Sequence, residues 1–395
     1  MAFPFACNKC LLFLVVLLHA SAAIAATALD NSIDLASLLA FKAASTSGGG
    51  GTVSDNIIAA NWTTDVPSCT WVGVRCSWQY PPRVVSLNFS SFSLQGTISS
   101  HLSNLSFLSY LNLHNNSLFG TIPDALGRLP RLATLYLGQN LLSDPIPPSI
   151  FNISSLIYVS LALNNLSGSL PTQVLLPPIE RISIASNFHT DHIPADLARC
   201  STLQEIYLSE NKLTGSVPSS LGNLSELVVL ALGNNQFTEA IPTSIGNLTK
   251  LQYLYLAFNH LKGKIPKEMG NLVNLQVLHL HVNGIAGSIP ISLCNASKMI
   301  VLEVSTNNLT GPVPATLGKS MPILQKLQMA ENALSGGLDF IAYLANSKDL
   351  NILEVTTNQF EGVLPDAYGN LSMNLQYFLV SLNNISEKSL QDWGI

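Results

Sequence analysis

A 24-residue segment recurs along most of this 395-residue chain, and it restricts the fold more than any other feature. The stretch from Leu108 reads LSYLNLHNNSLFGTIPDALGRLPR, and the stretch from Leu251 reads LQYLYLAFNHLKGKIPKEMGNLVN. Both fit the pattern L-x-x-L-x-L-x-x-N-x-L-x-G-x-I-P followed by a return arm rich in leucine. Thirteen such segments, the last one cut short, start at Val84, Leu108, Leu132, Leu156, Ile179, Leu203, Leu227, Leu251, Leu275, Met299, Leu324, Leu350 and Leu375.

The pattern predicts that each segment forms one coil of a solenoid. Positions 1, 4 and 6, such as Leu251, Leu254 and Leu256, are apolar and should point inward, while alternate strand residues face outward. Neighbouring strands would stack about 4.8 Å apart in one parallel sheet that lines the concave face. Because one coil cannot bury its apolar side alone, stacking provides the core. We therefore predict an α/β repeat solenoid, a leucine-rich-repeat superhelix or horseshoe.

Asparagine occupies position 9 in twelve of the thirteen repeats, and Phe92 is the exception. An amide side chain both donates to and accepts from a turning backbone, so the stacked asparagines predict a structural ladder. Glycine at position 13, as in Gly120 and Gly263, favours a turn. The ladder residues are Asn116, Asn140, Asn164, Asn187, Asn211, Asn235, Asn259, Asn283, Asn307, Asn332, Asn358 and Asn383.

The first residues are typical of a secretory signal peptide over 1–26. Lys9 is followed by an apolar run over 11–18 and by small residues that end at Ala26. The alternative, a signal anchor, is disfavoured because a membrane span needs about 20 apolar residues. No later segment reaches that length without charge or proline, so we expect no membrane span in this chain.

Residues 27–83 predict an N-terminal cap, and residues 84–395 the repeats. Asp34 is a candidate N-cap for a helix whose apolar residues recur at helical spacing. Those residues are Leu35, Leu38 and Leu39. Cys69 and Cys76 lie close together in a chain expected to be secreted, so a disulfide is plausible there.

Two further cysteines, Cys200 and Cys294, lie four coils apart at nearly equivalent places in the repeat. The strand spacing puts them about 19 Å apart. A disulfide tolerates only about 7 Å between Cα atoms. We therefore expect two buried free thiols.

Four features together resemble a known family. The cap reads DLASLLAFK over 34–42 and CTWVGVRC over 69–76, the repeat carries L-x-G-x-I-P, and the return arm often reads G-N-L. Late in the chain, LDFIAYLANSKDL over 338–350 replaces the proline-containing turn, and GNLSMNLQYF follows over 369–378. The chain resembles the ectodomains of plant leucine-rich-repeat receptor-like Ser/Thr kinases, in the subgroup that includes pattern-recognition immune receptors.

The resemblance implies an extracellular binding platform for defence or developmental signalling, with a peptide or protein ligand and a co-receptor ectodomain as partners. It also implies further repeats, a transmembrane helix and a kinase. The sequence has no Gly-rich phosphate loop, H-R-D or D-F-G motif, so we predict neither enzyme activity nor a cofactor. Charged residues make up 10 % and no basic patch stands out, so we expect no nucleic-acid partner.

The alternative function is a secreted inhibitor of microbial cell-wall hydrolases, or a soluble decoy. A self-sufficient inhibitor should finish with a capping segment. The sequence stops at Ile395 inside an unfinished repeat, which favours a receptor truncated within its repeats.

Twelve N-x-S/T sequons predict N-glycans on a secreted chain. They are Asn61, Asn88, Asn104, Asn115, Asn152, Asn165, Asn223, Asn247, Asn295, Asn308, Asn370 and Asn384. Six occupy position 21 on the return arm, where glycans shield the outer side. Glycans on Asn88 and Asn115 would crowd the first concave strands, and a ligand would then bind further along. In the alternative, these two sites are unoccupied.

Aromatic and histidine residues occupy outward strand positions further along the repeats. Position 5 reads Tyr207, Ala231, Tyr255, His279 and Glu303 in five successive repeats. Exposed aromatics supply apolar contact with a polar handle, so we predict a ligand-binding column. Its residues are Tyr207, Tyr253, Tyr255, Phe258, His279, His281 and Glu303. The alternative is an ordinary variable surface, because sheets tolerate tyrosine.

His279 and His281 are two residues apart on a predicted strand, so both face the same way. A metal site would need a third ligand such as Glu303 from the next coil. We expect no metal at this pair. A pH-sensitive contact is favoured, because histidine titrates near mildly acidic pH.

Overall fold

The computed structural model of the protein describes residues 32–45, 58, 61–171, 178–364 and 369–386. The predicted signal peptide over 1–26 lies outside the described residues, as does the end of the chain from residue 387. The chain divides into two compact units. Unit 1 comprises the residues up to Ser143 together with Ser149–Leu156, and unit 2 comprises Asp144–Pro148 and the residues from Ile157 onward.

Unit 1 contains the cap and the first repeats. Residues 32–45 form helix α1. The strands are β1 (Val74–Cys76), β2 (Val84–Asn88), β3 (Gln95–Thr97), β4 (Tyr110–Asn112), β5 (Ser117–Thr121), β6 (Thr134–Tyr136) and β7 (Leu141–Pro145). Strand β1 pairs antiparallel with β2, and β2, β4 and β6 are parallel neighbours. Strands β3, β5 and β7 form a second parallel ladder, so each repeat contributes to two sheets.

The cap has an aromatic core. Trp62 and Trp71 stack with their ring centroids 4.8 Å apart, and Phe89 of the first repeat meets the edge of Trp62 at 5.5 Å. Phe41 of α1 contacts Phe89 at 5.6 Å. All four rings are buried, so this cluster closes the end of the first coil with apolar area. The expected Cys69–Cys76 disulfide is present, with its Cα atoms 5.5 Å apart.

The prediction that Asp34 caps the helix is wrong, because Asp34 lies within α1. Its carboxylate instead accepts two hydrogen bonds from the Arg83 guanidinium, at 2.9 and 3.0 Å. It also accepts one from the backbone N–H of Val84 at 3.0 Å. The acidic residue therefore fixes the cap helix to the start of the first repeat.

Unit 2 contains the remaining repeats, in which β-strands alternate with short helical turns. The strands are β8 (Tyr158–Ser160), β9 (Asn165–Ser169), β10 (Arg181–Ser183), β11 (Phe188–Thr190), β12 (Glu205–Tyr207), β13 (Thr214–Ser216), β14 (Val229–Ala231), β15 (Gln236–Thr238), β16 (Tyr253–Tyr255), β17 (Val277–His279), β18 (Ala286–Gly287), β19 (Val301–Glu303), β20 (Asn308–Gly311), β21 (Lys326–Gln328), β22 (Ala333–Gly336), β23 (Ile352–Glu354), β24 (Gln359–Val363), β25 (Tyr377–Leu379) and β26 (Asn384–Ser386). The helices are α2 (Leu317–Ser320) and α3 (Asp339–Tyr343).

The first strand of each repeat in unit 2 belongs to one long parallel sheet, in the order β8-β10-β12-β14-β16-β17-β19-β21-β23-β25. We call the outward side of this sheet the sheet face. The second strands form shorter ladders, and a 3-10 helix fills most return arms of the two units. These 3-10 helices are Ser100–Asn104, Asp124–Arg128, Pro148–Asn152, Ala195–Arg199, Ser219–Asn223, Thr243–Asn247, Lys267–Asn271 and Ile291–Asn295, and two further ones are Ser68–Thr70 and Leu344–Asn346.

The core follows the repeat positions. Leu251, Leu254 and Leu256 are no more than 1 % exposed, as positions 1, 4 and 6 predict. The segment over 338–350, which lacks the proline-containing turn, forms α3 and a 3-10 turn and still buries Phe340 and Ile341. The helical return therefore replaces the usual arm without loss of the apolar contact.

The position-9 asparagines bridge adjacent coils. The Asn259 side-chain Nδ2 donates to the carbonyls of Leu256 in its own repeat and Leu232 in the preceding one, both at 3.1 Å. Its Oδ1 accepts from the backbone N–H of Phe237 at 3.0 Å. Asn235 repeats the same three contacts one coil earlier. Each amide therefore satisfies backbone groups that the turn leaves without strand partners.

The residue before each position-9 residue has a left-handed backbone, with φ between 52° and 62°. The cause is the stacking of coils: the backbone N–H of Phe258 donates to the carbonyl of His281 at 3.0 Å, and that of Val282 to Ser305 at 3.1 Å. The sequence pattern did not reveal this conformation, because non-glycine residues fill the position. They are Ser91, Asn115, Gln139, Leu163, Ser186, Glu210, Asn234, Phe258, Val282, Thr306, Glu331, Thr357 and Leu382.

Candidate ligand-binding face

The predicted position-5 column is continuous in the strand register of unit 2. Tyr207 of β12 pairs with Ala231, which pairs with Tyr255. Tyr255 pairs with His279 of β17, and His279 with Glu303 of β19. Ala231 is only 5 % exposed, so Tyr207 is separated from the rest of the column by a small buried side chain. The other predicted site residues lie together further along the sheet face.

Aromatic and imidazole rings pack against each other on this face. Tyr255 meets His279 edge to face with centroids 5.0 Å apart, and Phe258 meets His281 in the same way at 5.0 Å. Tyr253 stacks on Tyr255 at 6.4 Å, and its hydroxyl donates to Gln276 at 3.3 Å. Phe258 is exposed while its neighbours are half-buried. The rings therefore form a fixed surface with polar tips.

Glu303 faces both imidazoles. Its Oε2 lies 3.4 Å from Nε2 of His279 and 3.3 Å from Nδ1 of His281. The three side chains are partly accessible, at 26 % for His279, 22 % for His281 and 16 % for Glu303. Glu303, the third ligand that a metal site at the two histidines would need, therefore lies beside both of them.

Burial lowers the pKa of His279 and of His281 below the ordinary 6.5, and the Glu303 carboxylate partly offsets this. For His279, the charges of His281 and of Lys326, which lies two strands further along the sheet in β21, also lower the pKa. Burial and a hydrogen bond to Glu205 raise the pKa of Tyr207 to about 12. At neutral pH the imidazoles are therefore neutral, and the Tyr207 hydroxyl keeps its proton and donates to Glu205 at 3.0 Å.

An acidic pocket of about 280 Å³ adjoins the histidines. Glu303, Glu331 and Glu354 contribute carboxylates to its wall, and Ser305 and Gln328 line it between them. The side chain of Gln328 donates to Glu354 at 2.8 Å. Three carboxylates in one partly enclosed site favour a positively charged group.

The pocket residues beyond Glu303 were not predicted from the sequence. Gln328 and Glu354 continue position 5, and the register runs Glu303 to Gln328 to Glu354. The sequence therefore already indicated these two residues, because position 5 continues through the two repeats that follow Glu303. The pocket itself was not predictable in this way, because its enclosure depends on the rotamers of these side chains and on the neighbouring Ser305 and Glu331.

All twelve sequon asparagines are exposed, including Asn88 and Asn115 of unit 1. The contrast with the ladder is sharp at neighbouring positions, because Asn307 is buried and Asn308 exposed. Asn88 lies in a groove together with Arg75, Phe92 and Tyr110. Glycosylation of the twelve sites, and crowding of the first strands by glycans, remain predictions.

Cys200 and Cys294 differ in their surroundings. Cys200 is buried and its thiol contacts the Ile179 carbonyl at 3.4 Å. Cys294 is only half-buried and receives a contact from the Thr316 hydroxyl at 3.6 Å. The expectation that neither thiol forms a disulfide is confirmed. The expected burial is wrong for Cys294, which lies within the 3-10 helix Ile291–Asn295, whereas Cys200 is the C-cap residue that follows Ala195–Arg199.

Family models match the cap and the repeats. A leucine rich repeat N-terminal domain matches residues 31–77, a leucine-rich repeat region matches residues 243–393, and single leucine rich repeats match residues 107–129, 202–224 and 226–248. Among the residues that the structure describes, no helix has the length and apolarity needed to cross a membrane.

Known relatives are plant receptor kinases. The chain is 40 % identical over 90 residues to the LRR receptor-like serine/threonine-protein kinase EFR of Arabidopsis thaliana, which is 22 % of this chain and 8 % of EFR. It is 41 % identical over 88 residues to the receptor kinase-like protein Xa21 of Oryza sativa subsp. japonica, or 21 % of this chain and 8 % of Xa21. These alignments span under a tenth of the relatives' length.

Solved structures agree over most of the chain. The Arabidopsis receptor kinase HAESA, in complex with the peptide hormone IDA and the co-receptor SERK1, superimposes with a TM-score of 0.75 and 34 % identity. The match covers 90 % of this chain and 58 % of HAESA. The ectodomain of GASSHO1/SCHENGEN3 from Arabidopsis thaliana, in complex with CASPARIAN STRIP INTEGRITY FACTOR 2, gives a TM-score of 0.70 with 27 % identity over 92 % of this chain and 48 % of that ectodomain.

The chain is therefore a leucine-rich-repeat protein, with the predicted solenoid fold and the N-terminal cap of that class. Within that class, its cap and repeats are similar to those of plant leucine-rich-repeat receptor-like kinase ectodomains.

Proposed function

We propose that this chain binds an extracellular peptide or protein ligand on the sheet face of unit 2, over the surface from Tyr253 to Glu354. The observation that carries the proposal is the continuity of the ring cluster around Tyr255 and His279 with the acidic pocket at Glu303. Rigid rings provide contact area at little entropic cost, and the pocket provides charge selectivity. The complementary ligand has an apolar segment followed by a lysine or arginine side chain.

Related ectodomains support a peptide ligand. HAESA was solved with the peptide hormone IDA and the co-receptor SERK1, and RGFR1 was solved with RGF2 as a plant peptide hormone receptor. We infer by this similarity that our chain works on the extracellular side of the plasma membrane and that a bound ligand recruits a co-receptor ectodomain. Catalysis, in this proposal, belongs to a kinase outside the described repeats. The pattern-recognition subgroup remains a prediction.

A displayed library of random peptides tests the proposal. The secreted chain is panned in the presence of EDTA, so that added metal plays no part, and recovered peptides are measured against three variants. We expect enrichment of lysine or arginine, and a loss of affinity of about tenfold or more for the double variant Tyr255→Ala, His279→Ala. Glu354→Gln should weaken the basic peptides selectively.

The matched control is Tyr136→Ala, because Tyr136 occupies position 5 of a repeat in unit 1, whereas the proposed ligand surface belongs to unit 2. Its affinity for the selected peptides should stay unchanged. Peptides that bind the double variant as tightly as the original chain would place the ligand elsewhere and refute the proposal.

A further inference from the structure

We infer that His279, His281 and Glu303 form a binding site for a divalent transition-metal ion of the Zn²⁺ type. One ligand atom from each side chain lies within 4.8 Å of the others. This contradicts our expectation from sequence that no metal binds at this pair. The inference does not depend on the peptide ligand, because the metal alone is the probe.

The donor set suits this class of ion. Imidazole nitrogens bind zinc, copper and nickel, and two histidines with one glutamate are a known zinc ligand set. With Zn–N and Zn–O bonds of about 2.0–2.1 Å, the edges of a tetrahedron measure about 3.3–3.4 Å. The two histidine–glutamate distances, 3.4 and 3.3 Å, already equal that edge. The remaining edge between the imidazole nitrogens is at most 4.8 Å, so it has to close by up to about 1.5 Å when an ion binds.

The backbone places the ligands for chelation. His279 and His281 are two residues apart and project to the same side, with ring centroids 5.5 Å apart. Glu303 stands opposite His279 in the register between β17 and β19. The sheet therefore fixes the Cα positions of His279 and Glu303, and His281 follows two residues after the end of β17, which reduces the entropy lost on binding.

Neighbouring rings hold the imidazoles in place. Tyr255 packs edge to face on His279, and Phe258 does so on His281. Among the described residues, the buried Nδ1 of His281 has no hydrogen-bond partner, although the Glu303 carboxylate is 3.3 Å away. The geometry of this contact does not fit an N–H···O hydrogen bond, so no proton joins the nitrogen and the oxygen. A metal ion between the two atoms would accept a lone pair from each.

Isothermal titration of the secreted, untagged chain with ZnCl₂ after chelator treatment tests the site. We expect one ion per chain, and a loss of affinity of about tenfold or more in both His279→Ala and Glu303→Gln. Co²⁺ in place of Zn²⁺ should give visible absorption that His281→Ala abolishes. His114→Ala is the matched control, because His114 occupies the same repeat position as His281.

A second readout guards against a variant that does not fold. Zn²⁺ should raise the thermal midpoint of the unaltered chain, since an ion that binds only the folded state stabilises it. Absence of both binding heat and a thermal shift in the unaltered chain overturns the inference. Equal Zn²⁺ affinity in Glu303→Gln, His279→Ala and the unaltered chain overturns it too.

Discussion

Asp34 and Arg83 form a bidentate ion pair in which 4 % and 6 % of the two side chains are exposed. The carboxylate belongs to α1 of the cap and the guanidinium directly precedes the first repeat strand, β2. Arg83 also lies over the ring of Phe107 at 4.6 Å. The pair therefore joins the cap to the first repeat through buried charge, in addition to the apolar contacts of the aromatic cluster.

Removal of one charge should destabilise unit 1 strongly. We expect Arg83→Met to lower the free energy of unfolding by about 3–5 kcal/mol, because it leaves the Asp34 carboxylate buried and uncompensated. Adding Asp34→Leu should recover much of this loss. Urea unfolding monitored by the fluorescence of Trp62 and Trp71 measures the effect within the cap.

The control for the ion pair is the exposed one between Lys250 and Glu226, whose side chains are 54 % and 45 % accessible. Lys250→Met should cost about 1 kcal/mol or less, since solvent screens exposed pairs. Equal losses in the free energy of unfolding for Arg83→Met and Lys250→Met would show that burial of the Asp34–Arg83 pair does not affect stability.

Val282 is a β-branched residue with a left-handed backbone, at φ 55°. Asparagine tolerates this region better, and Asn234 already occupies the equivalent position at φ 53°. We expect Val282→Asn to raise the free energy of unfolding by about 1 kcal/mol. The reciprocal change Asn234→Val should lower it by a similar amount. Chemical denaturation measures both, and a change of the same sign in the two variants would contradict the strain argument.

His189 is fully buried where most repeats place an apolar side chain. Its Nδ1 lies 3.1 Å from the Gly168 carbonyl, and Nε2 has no hydrogen-bond partner among the described residues. Burial lowers the pKa of His189 below 6.5, and the Gly168 contact only partly opposes this. The folded state therefore holds the neutral imidazole.

The pH dependence follows from that shift. As pH falls through 6.5, the unfolded chain takes up a proton at His189 before the folded chain does, so stability is lost until pH passes the lowered folded pKa. His189→Leu should remove this contribution and stabilise the protein most at the acidic end. Thermal midpoints at about pH 5 and about pH 7.5 measure the difference. Parallel pH profiles for the two proteins would refute this assignment.

The asparagine ladder should be costly to interrupt. Asn259→Ala leaves the N–H of Phe237 without its acceptor and removes one of the two side-chain donors to the Leu232 carbonyl, which keeps the one from Asn235. A buried group left unsatisfied costs about 1–3 kcal/mol, so we expect a loss in that range. The exposed Asn271 at the end of a return arm is the control, and Asn271→Ala should stay within about 0.5 kcal/mol. Comparable losses in denaturation experiments would show that the ladder amide has no special role.

The repeat pattern alone predicts the coil, its core and its ladder. Leu254, Asn259 and Gly263 lie where the repeat pattern puts them, with the leucine fully buried, the amide bridging two coils and the glycine at φ 71°. Each of these positions meets the same neighbours in every repeat, so a local pattern with a fixed period is sufficient to define its environment. The outward direction of Tyr255 and His279 followed from strand alternation for the same reason.

Contacts that do not recur with the repeat period could be read only from the folded structure. Asp34 reaches Arg83 across 49 residues, although a helix cap was the local expectation. Glu303 turns its Oε2 toward both histidines, and Glu354 helps to enclose a pocket. Register fixes which Cα atoms are neighbours, but the approach of side-chain tips depends on rotamers that the packing of adjacent coils selects. The repeat pattern therefore predicts the fold, whereas the binding chemistry depends on how the side chains at the variable positions contact one another.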